Sequence, residues 1–223
     1  MEGVGRKMGV IFDLDGVLVD TSEFHRRSWF DLAEKEGYDM SDELFYSTFG
    51  MQNYQILPLL ADGELSAERV DEMAKWKECR YRELMGREVT AMEGAEELVA
   101  ELKDRGFLLA VGTSTPRENL EPILEHTRFG DYFDAYVTGE DVSNGKPAPD
   151  TFLKAAEKLG AKPGDCVVVE DAIPGVAAGK NAGMMVAAVT STRKREELHR
   201  ADIVVDSLGE LKASDFVRLL TDK

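Results

Sequence analysis

Short apolar runs alternate with amphipathic stretches over most of this chain. Gly9–Phe12, Phe107–Val111, Tyr136–Thr138, Cys166–Val169, Met184–Val189 and Ile203–Val205 read as strands. Helical periodicity falls between and after them, over Ala95–Arg105, Arg117–His126, Pro149–Leu159, Gly175–Ala182 and Ser214–Leu220. Continuously apolar strands, each followed by a helix, predict a parallel sheet covered on both faces. The fold class is therefore α/β, doubly wound, with right-handed crossovers.

The stretch from about residue 21 to 87 breaks this alternation. It offers no strand, and its polar–apolar period is helical over His25–Glu36, Ser41–Phe49, Asn53–Leu60 and Ser66–Met85, with Ser66 as an N-cap. A helical block inserted just after the first strand predicts a small cap, residues 21–87, on a core formed by 1–20 and 88–223. The cap would sit over the carboxyl ends of the strands, where ligands bind in such sheets. Its two connections, Val19–Thr21 and Arg87–Glu93, are hinge candidates. Trp29, Phe30 and Leu32 form an apolar stripe for packing. Lys75, Lys77, Arg80 and Arg82 alternate with acids and read as a solvated face.

Polar residues stand just past the apolar strands: Asp13-Leu14-Asp15, Thr113-Ser114-Thr115, Gly145-Lys146-Pro147 and Glu170-Asp171. In a parallel sheet these ends share one edge, so two acidic pairs, hydroxyls and a lysine converge on one crevice. Buried carboxylates without a packing role are costly unless a cation or a reaction holds them. The chemistry that needs this set is phosphoryl transfer, in which an anionic nucleophile approaches a phosphate only once charge is neutralised. Asp13 is then the nucleophile, forming an aspartyl-phosphate. Asp15, two residues on, protonates the leaving oxygen and later activates water. Glu170 and Asp171 complete an oxygen-rich site with Asp13 and Asp15 that suits Mg²⁺. Thr113 donates to the phosphoryl oxygens, and Lys146 neutralises Asp13 and the phosphoryl group.

The runs Asp13-Leu14-Asp15-Gly16-Val17-Leu18-Val19-Asp20, Thr113, Gly145-Lys146-Pro147-Ala148-Pro149-Asp150 and Val169-Glu170-Asp171 resemble the four ordered motifs of the haloacid dehalogenase (HAD) superfamily. The resemblance spans essentially the whole chain. It implies a Rossmann-like core with an α-helical cap, and Mg²⁺ held by Asp13, the backbone carbonyl of Asp15, and Asp171, with Glu170 close by or ligating. Asp15 sets the chain apart from the family's dehalogenases and phosphonate hydrolases, which lack that carboxylate. Asp20–His25 resembles the run that β-phosphoglucomutase and related sugar phosphatases place against the catalytic carboxylate. This makes Thr21 and His25 substrate-side candidates, with Gly50, Ser114, Thr115 and Arg117. The resembling mutases carry a lysine-glycine pair and then an arginine in the cap loop. Here Phe49-Gly50-Met51-Gln52-Asn53 keeps only the glycine. Hydrolysis of a small phosphorylated metabolite, a sugar or polyol phosphate, is therefore expected ahead of the mutase reaction. A catalytically silent binding protein is disfavoured because no motif residue is missing.

The net charge of −16 argues against a nucleic-acid or anionic-membrane partner. It leaves an anionic substrate open, because a bound metal and a few local cations invert the field inside a pocket. The two cysteines, Cys79 and Cys166, lie far apart and read as reduced, mostly buried thiols. A cytoplasmic monomer is the default expectation.

Overall fold

The computed structural model describes residues 7–86 and 89–222. Strands β1 (Gly9–Phe12), β2 (Leu108–Gly112), β3 (Ala135–Val137), β4 (Cys166–Glu170), β5 (Met185–Val189) and β6 (Ile203–Val205) form one parallel sheet. Their spatial order is β3-β2-β1-β4-β5-β6. The first strand made is thus central: Gly9 stands opposite Leu108 on one side and Cys166 on the other. The direction of strand order reverses between β1 and β4, which opens a crevice at their carboxyl ends. The expected strands lie within a residue or two of those found.

Helices α1 (Ser22–Glu36), α2 (Asp42–Thr48), α3 (Asn53–Leu60) and α4 (Ala67–Met85) follow β1. Helices α5 (Ala95–Asp104), α6 (Arg117–His126), α7 (Asp150–Leu159), α8 (Ile173–Asn181) and α9 (Ala213–Thr221) alternate with the later strands. Alternate strand residues feed two cores. Val10, Phe12, Val111 and Val169 pack with Leu98 of α5 and Phe216 of α9. Ile11, Ala110 and Val168 pack with Phe152 of α7 and Ala178 of α8. Burial on both faces explains why these strands are apolar throughout.

The inserted helices enclose a third core, with Trp29, Leu32, Phe45, Leu57 and Met73 at its centre and Phe30 partly buried against it. Ser41 and Ser66 cap α2 and α4 by accepting the backbone N–H of Leu44 and Arg69. The chain enters and leaves this block side by side: Asp20 N–H donates to Thr90 O (2.9 Å) and Met92 N–H to Leu18 O (2.9 Å). Arg87 and Glu88, part of the second expected hinge, lie outside the described residues.

Two expectations need correction. Cys79 is exposed, while Cys166 is buried. The basic run on α4 is not wholly solvated, because Lys77 is 2% exposed and points inward.

Candidate active site

Each strand end brings its polar residues to the crevice. Lys146 is fully buried, and its Nζ donates to Asp13 Oδ1 (2.7 Å) and Glu170 Oε1 (2.6 Å). The ammonium also lies 4.9 Å over the Phe152 ring. Glu170 Oε2 accepts the backbone N–H of Asp171 (2.9 Å) and Ala172 (3.0 Å). The first turn of α8 passes so close that a Cβ at Gly175 would overlap the Glu170 carboxylate. Gly16, at φ 80°, leaves the same kind of room for Asp171. Asp171 Oδ2 accepts from Thr192 Oγ1 (2.5 Å), whereas the buried Oδ1 has no hydrogen-bond partner.

Two carboxylates therefore grip one buried ammonium, and a third, that of Asp171, stands beside them. Burial, with Glu170 and Asp15 adding repulsion against the pull of Lys146, pushes Asp13 up to about 7. Burial and the charges of Glu170 and Asp13 push Asp171 well above the usual carboxylate range. Asp13, Glu170 and Asp171 each present an oxygen within 4.8 Å of the others. The donors are all oxygen, one is unpartnered, and negative charge is in excess. These residues fit a hard divalent cation.

A test follows from that excess. The folded-state pKa of Asp13 lies above its unfolded value of 3.8. The folded protein then binds the proton more tightly between about pH 4 and pH 7, so this group's contribution to stability falls as pH rises through that window. With divalent metal chelated, Asp13→Asn is expected to be more stable than the parent at pH 8 by a few kcal/mol at most. Most of the difference should vanish near pH 4.5, and added Mg²⁺ should remove it at pH 8. Urea unfolding at the two pH values reads it. An equal gap at both, or a more stable parent at pH 8, would refute the charge excess.

Asp15 has a separate hydrogen-bond set. Thr21 Oγ1 donates to its Oδ1 (2.5 Å) and Thr115 Oγ1 to its Oδ2 (2.6 Å). His25 Nε2 lies 3.1 Å from Oδ1, and Tyr81 Oη 3.4 Å. Burial would raise this carboxyl, but His25, Thr115 and Thr21 together hold it well below the usual range. Lys77 Nζ lies 2.9 Å from His25 Nδ1. An ammonium can only donate, so Nδ1 accepts and Nε2 carries the ring proton toward Asp15. Tyr81 stacks on the same ring at 4.1 Å.

The helical block is latched onto this floor. Ser114 Oγ donates to Gly50 O (2.7 Å), Gln52 Nε2 to Gly139 O (2.7 Å) and Gln55 Nε2 to Lys146 O (3.3 Å). Between the two parts is a cavity of about 40 Å³ lined by Asp13, Asp15, His25, Asn53, Lys77, Glu78 and Thr113, among others. That volume holds only a few waters.

Of the residues singled out in the sequence, Asp13, Asp15, Thr21, His25, Gly50, Thr113, Ser114, Thr115, Lys146, Glu170 and Asp171 meet at or beside this cavity. Thr113 is buried, and its hydroxyl accepts the Thr115 N–H (3.0 Å). Arg117 lies outside the lining, exposed, with its guanidinium 3.8 Å from Asp141. Glu78 and Asn119 carry no sequence signal as site residues, while Lys77 reads from the sequence as part of a solvated face and Asn53 only as part of the cap loop. A signal for Lys77 was present: Met73, Lys77, Tyr81 and Met85 recur every four residues and share the buried face of α4.

A sequence model of one family, described as haloacid dehalogenase-like hydrolase, matches residues 7–183. The chain belongs to that family. Among HAD relatives, it is 34% identical to hexitol phosphatase A of Escherichia coli (strain K12), covering 92% of this chain and 94% of that one. It is 40% identical over 126 residues to a bifunctional riboflavin kinase/FMN phosphatase of Arabidopsis thaliana, covering 56% of this chain. Three Arabidopsis relatives are longer proteins, and the chain spans 33%, 21% and 57% of their lengths. Its backbone superposes on β-phosphoglucomutase from Clostridium difficile with a TM-score of 0.88 at 28% identity, covering 97% of this chain and 98% of that one. The HAD core with inserted helices is thus the fold expected from the four motifs.

Proposed function

We propose that this HAD hydrolase is a Mg²⁺-dependent phosphatase that cleaves a small phosphorylated metabolite, a sugar or polyol phosphate, through a phospho-aspartate on Asp13. One observation carries the reading. Asp13 is pinned through one oxygen by Lys146 beside Glu170 and Asp171, while Asp15, two residues away, is held by a different set of donors. Two neighbouring carboxylates in different environments can take different roles.

Residues 21–87 act as the cap, and 1–20 with 88–223 as the catalytic core. Lys146 fixes Asp13 Oδ1, which leaves the other oxygen to attack phosphorus as the ester bond breaks. With substrate bound, Asp15 takes up a proton from solvent and gives it to the leaving oxygen. It then takes one from the water that attacks the phospho-aspartate, which returns Asp13 and releases phosphate. The bonds from Thr21 and Thr115 favour the ionised form that this second half needs. Thr113 and Lys146 supply donors and positive charge to the phosphoryl oxygens. Asp13, Asp171 and the Asp15 carbonyl would hold Mg²⁺, with Glu170 beside them. Bound Mg²⁺ supplies the neutralisation that lets two anions meet.

The backbone likeness to a β-phosphoglucomutase supports a second reading, transfer back to a sugar. The cap loop weighs against it. Where the resembling mutases carry cations to hold a second phosphate, this chain has Phe49 and Asn53. A panel of sugar and polyol phosphates, including β-glucose 1-phosphate with a bisphosphate primer, decides between them. Free phosphate should appear only with Mg²⁺ and faster than glucose 6-phosphate. Faster isomer formation would reverse the choice, and no product from any member would sink both readings. Among the described residues no helix is long and apolar enough to cross a membrane.

A further inference from the structure

The cap wall of the cavity carries a carboxylate of its own. Glu78 is 7% exposed, and three donors already hold it. Asn53 Nδ2 (2.7 Å) and Lys77 Nζ (2.9 Å) donate to Oε1, and Asn119 Nδ2 of the core (2.6 Å) donates to Oε2. Burial pushes this carboxyl up, but Lys77 and Asn53 hold it below its ordinary value. An ionised carboxylate, paired with Lys77, therefore faces the cavity. Lys77 is the only Lys or Arg among its described lining residues, and Glu78 neutralises it. Arg82 is turned to Asn119 and Glu118 instead.

We propose that Glu78 selects the substrate: it accepts a hydroxyl hydrogen at the end away from the transferred phosphate and rejects a second phosphate there. The inference rests on the phosphoryl-transfer reading of this same cavity. A carboxylate offers about four acceptor directions, of which three are used, and an ammonium offers three hydrogens, of which two are used. By that count one acceptor direction, on Oε2, and one hydrogen of Lys77 are left over. A hydroxyl both gives and takes a hydrogen, so it matches that pair. A phosphate only accepts, and beside Glu78 it would bring like charges together in a poorly solvated pocket. The substrate class is thus a monophosphate with a polyhydroxylated tail, not a bisphosphate.

Calorimetric binding with Mg²⁺ tests this in the Asp13→Asn background, where turnover is removed. The ligands are a hexose 6-phosphate and the matching 1,6-bisphosphate. The monophosphate should bind tighter by about tenfold or more. Adding Glu78→Gln should weaken the monophosphate and strengthen the bisphosphate, narrowing the ratio by about tenfold. Equal or tighter bisphosphate binding with Glu78 in place overturns the proposal, whether or not the double variant folds. So does a parallel loss for both ligands, or no binding of either. Phosphate release by the parent protein reports separately. Release without discrimination sinks this inference alone, and discrimination without release sinks only the phosphatase reading.

Discussion

Asp13→Asn is expected to lower Mg²⁺-dependent phosphate release by at least about 10³-fold. An amide can still accept the Lys146 hydrogen bond, so the position stays filled and partnered. What it lacks is the charged oxygen that forms the bond to phosphorus. Because the same substitution relieves buried repulsion among Asp13, Glu170 and Asp171, it should not unfold the protein. A variant as stable as the parent or more so, yet inactive, separates a nucleophile from a structural carboxylate. Steady-state phosphate release beside a urea melt reads both quantities. Residual activity within about tenfold of the parent would remove Asp13 from the nucleophile role.

Lys146→Met should have the largest effect on stability. Methionine fills much of the same space but leaves Asp13 and Glu170 facing each other, buried, with no cation between them. Breaking a buried ion pair from one side costs about 3–5 kcal/mol, which is a large share of a typical domain's stability. The loss should be smaller at pH 5 than at pH 8, because the orphaned carboxylates can take up protons in acid. Activity should also fall by about 10²–10³-fold, as when one transition-state donor is removed. A midpoint within about 1 kcal/mol of the parent at pH 8 would show that the surrounding residues reorganise to dispense with the lysine.

How far the sequence revealed this site depends on where each residue lies. Asp13, Thr113 and Asp171 follow apolar strands directly, and parallel strands carry whatever follows them to one edge. Their convergence could be read from order alone. Lys77 and Glu78 belong to a helix whose polar residues alternate in sign, and such a run reads as a solvated face. They are buried because α4 lies against α1, where His25 meets Lys77, and against the first turns of α6, where Asn119 meets Glu78. Those pairings join residues 41 and 52 positions apart, and no local period records them. Asn119 itself sits inside the first turns of α6, with nothing in its neighbours to mark it. Cys79 is exposed because it follows the buried pair Lys77 and Glu78 around the same helix.

The central place of β1 has a consequence for how the protein is made. The strand is made before both of its partners, residues 108–111 on one edge and 166–169 on the other. At ordinary translation speeds the second edge stays unpaired for on the order of ten seconds. Gly9–Phe12 is fully apolar and would be a ready template for another chain's backbone during that wait. Asp13 and Asp15 stand at its end throughout. Charges flanking an apolar strand are what discourages such pairing, so the acids proposed for the chemistry would also guard the strand that bears them.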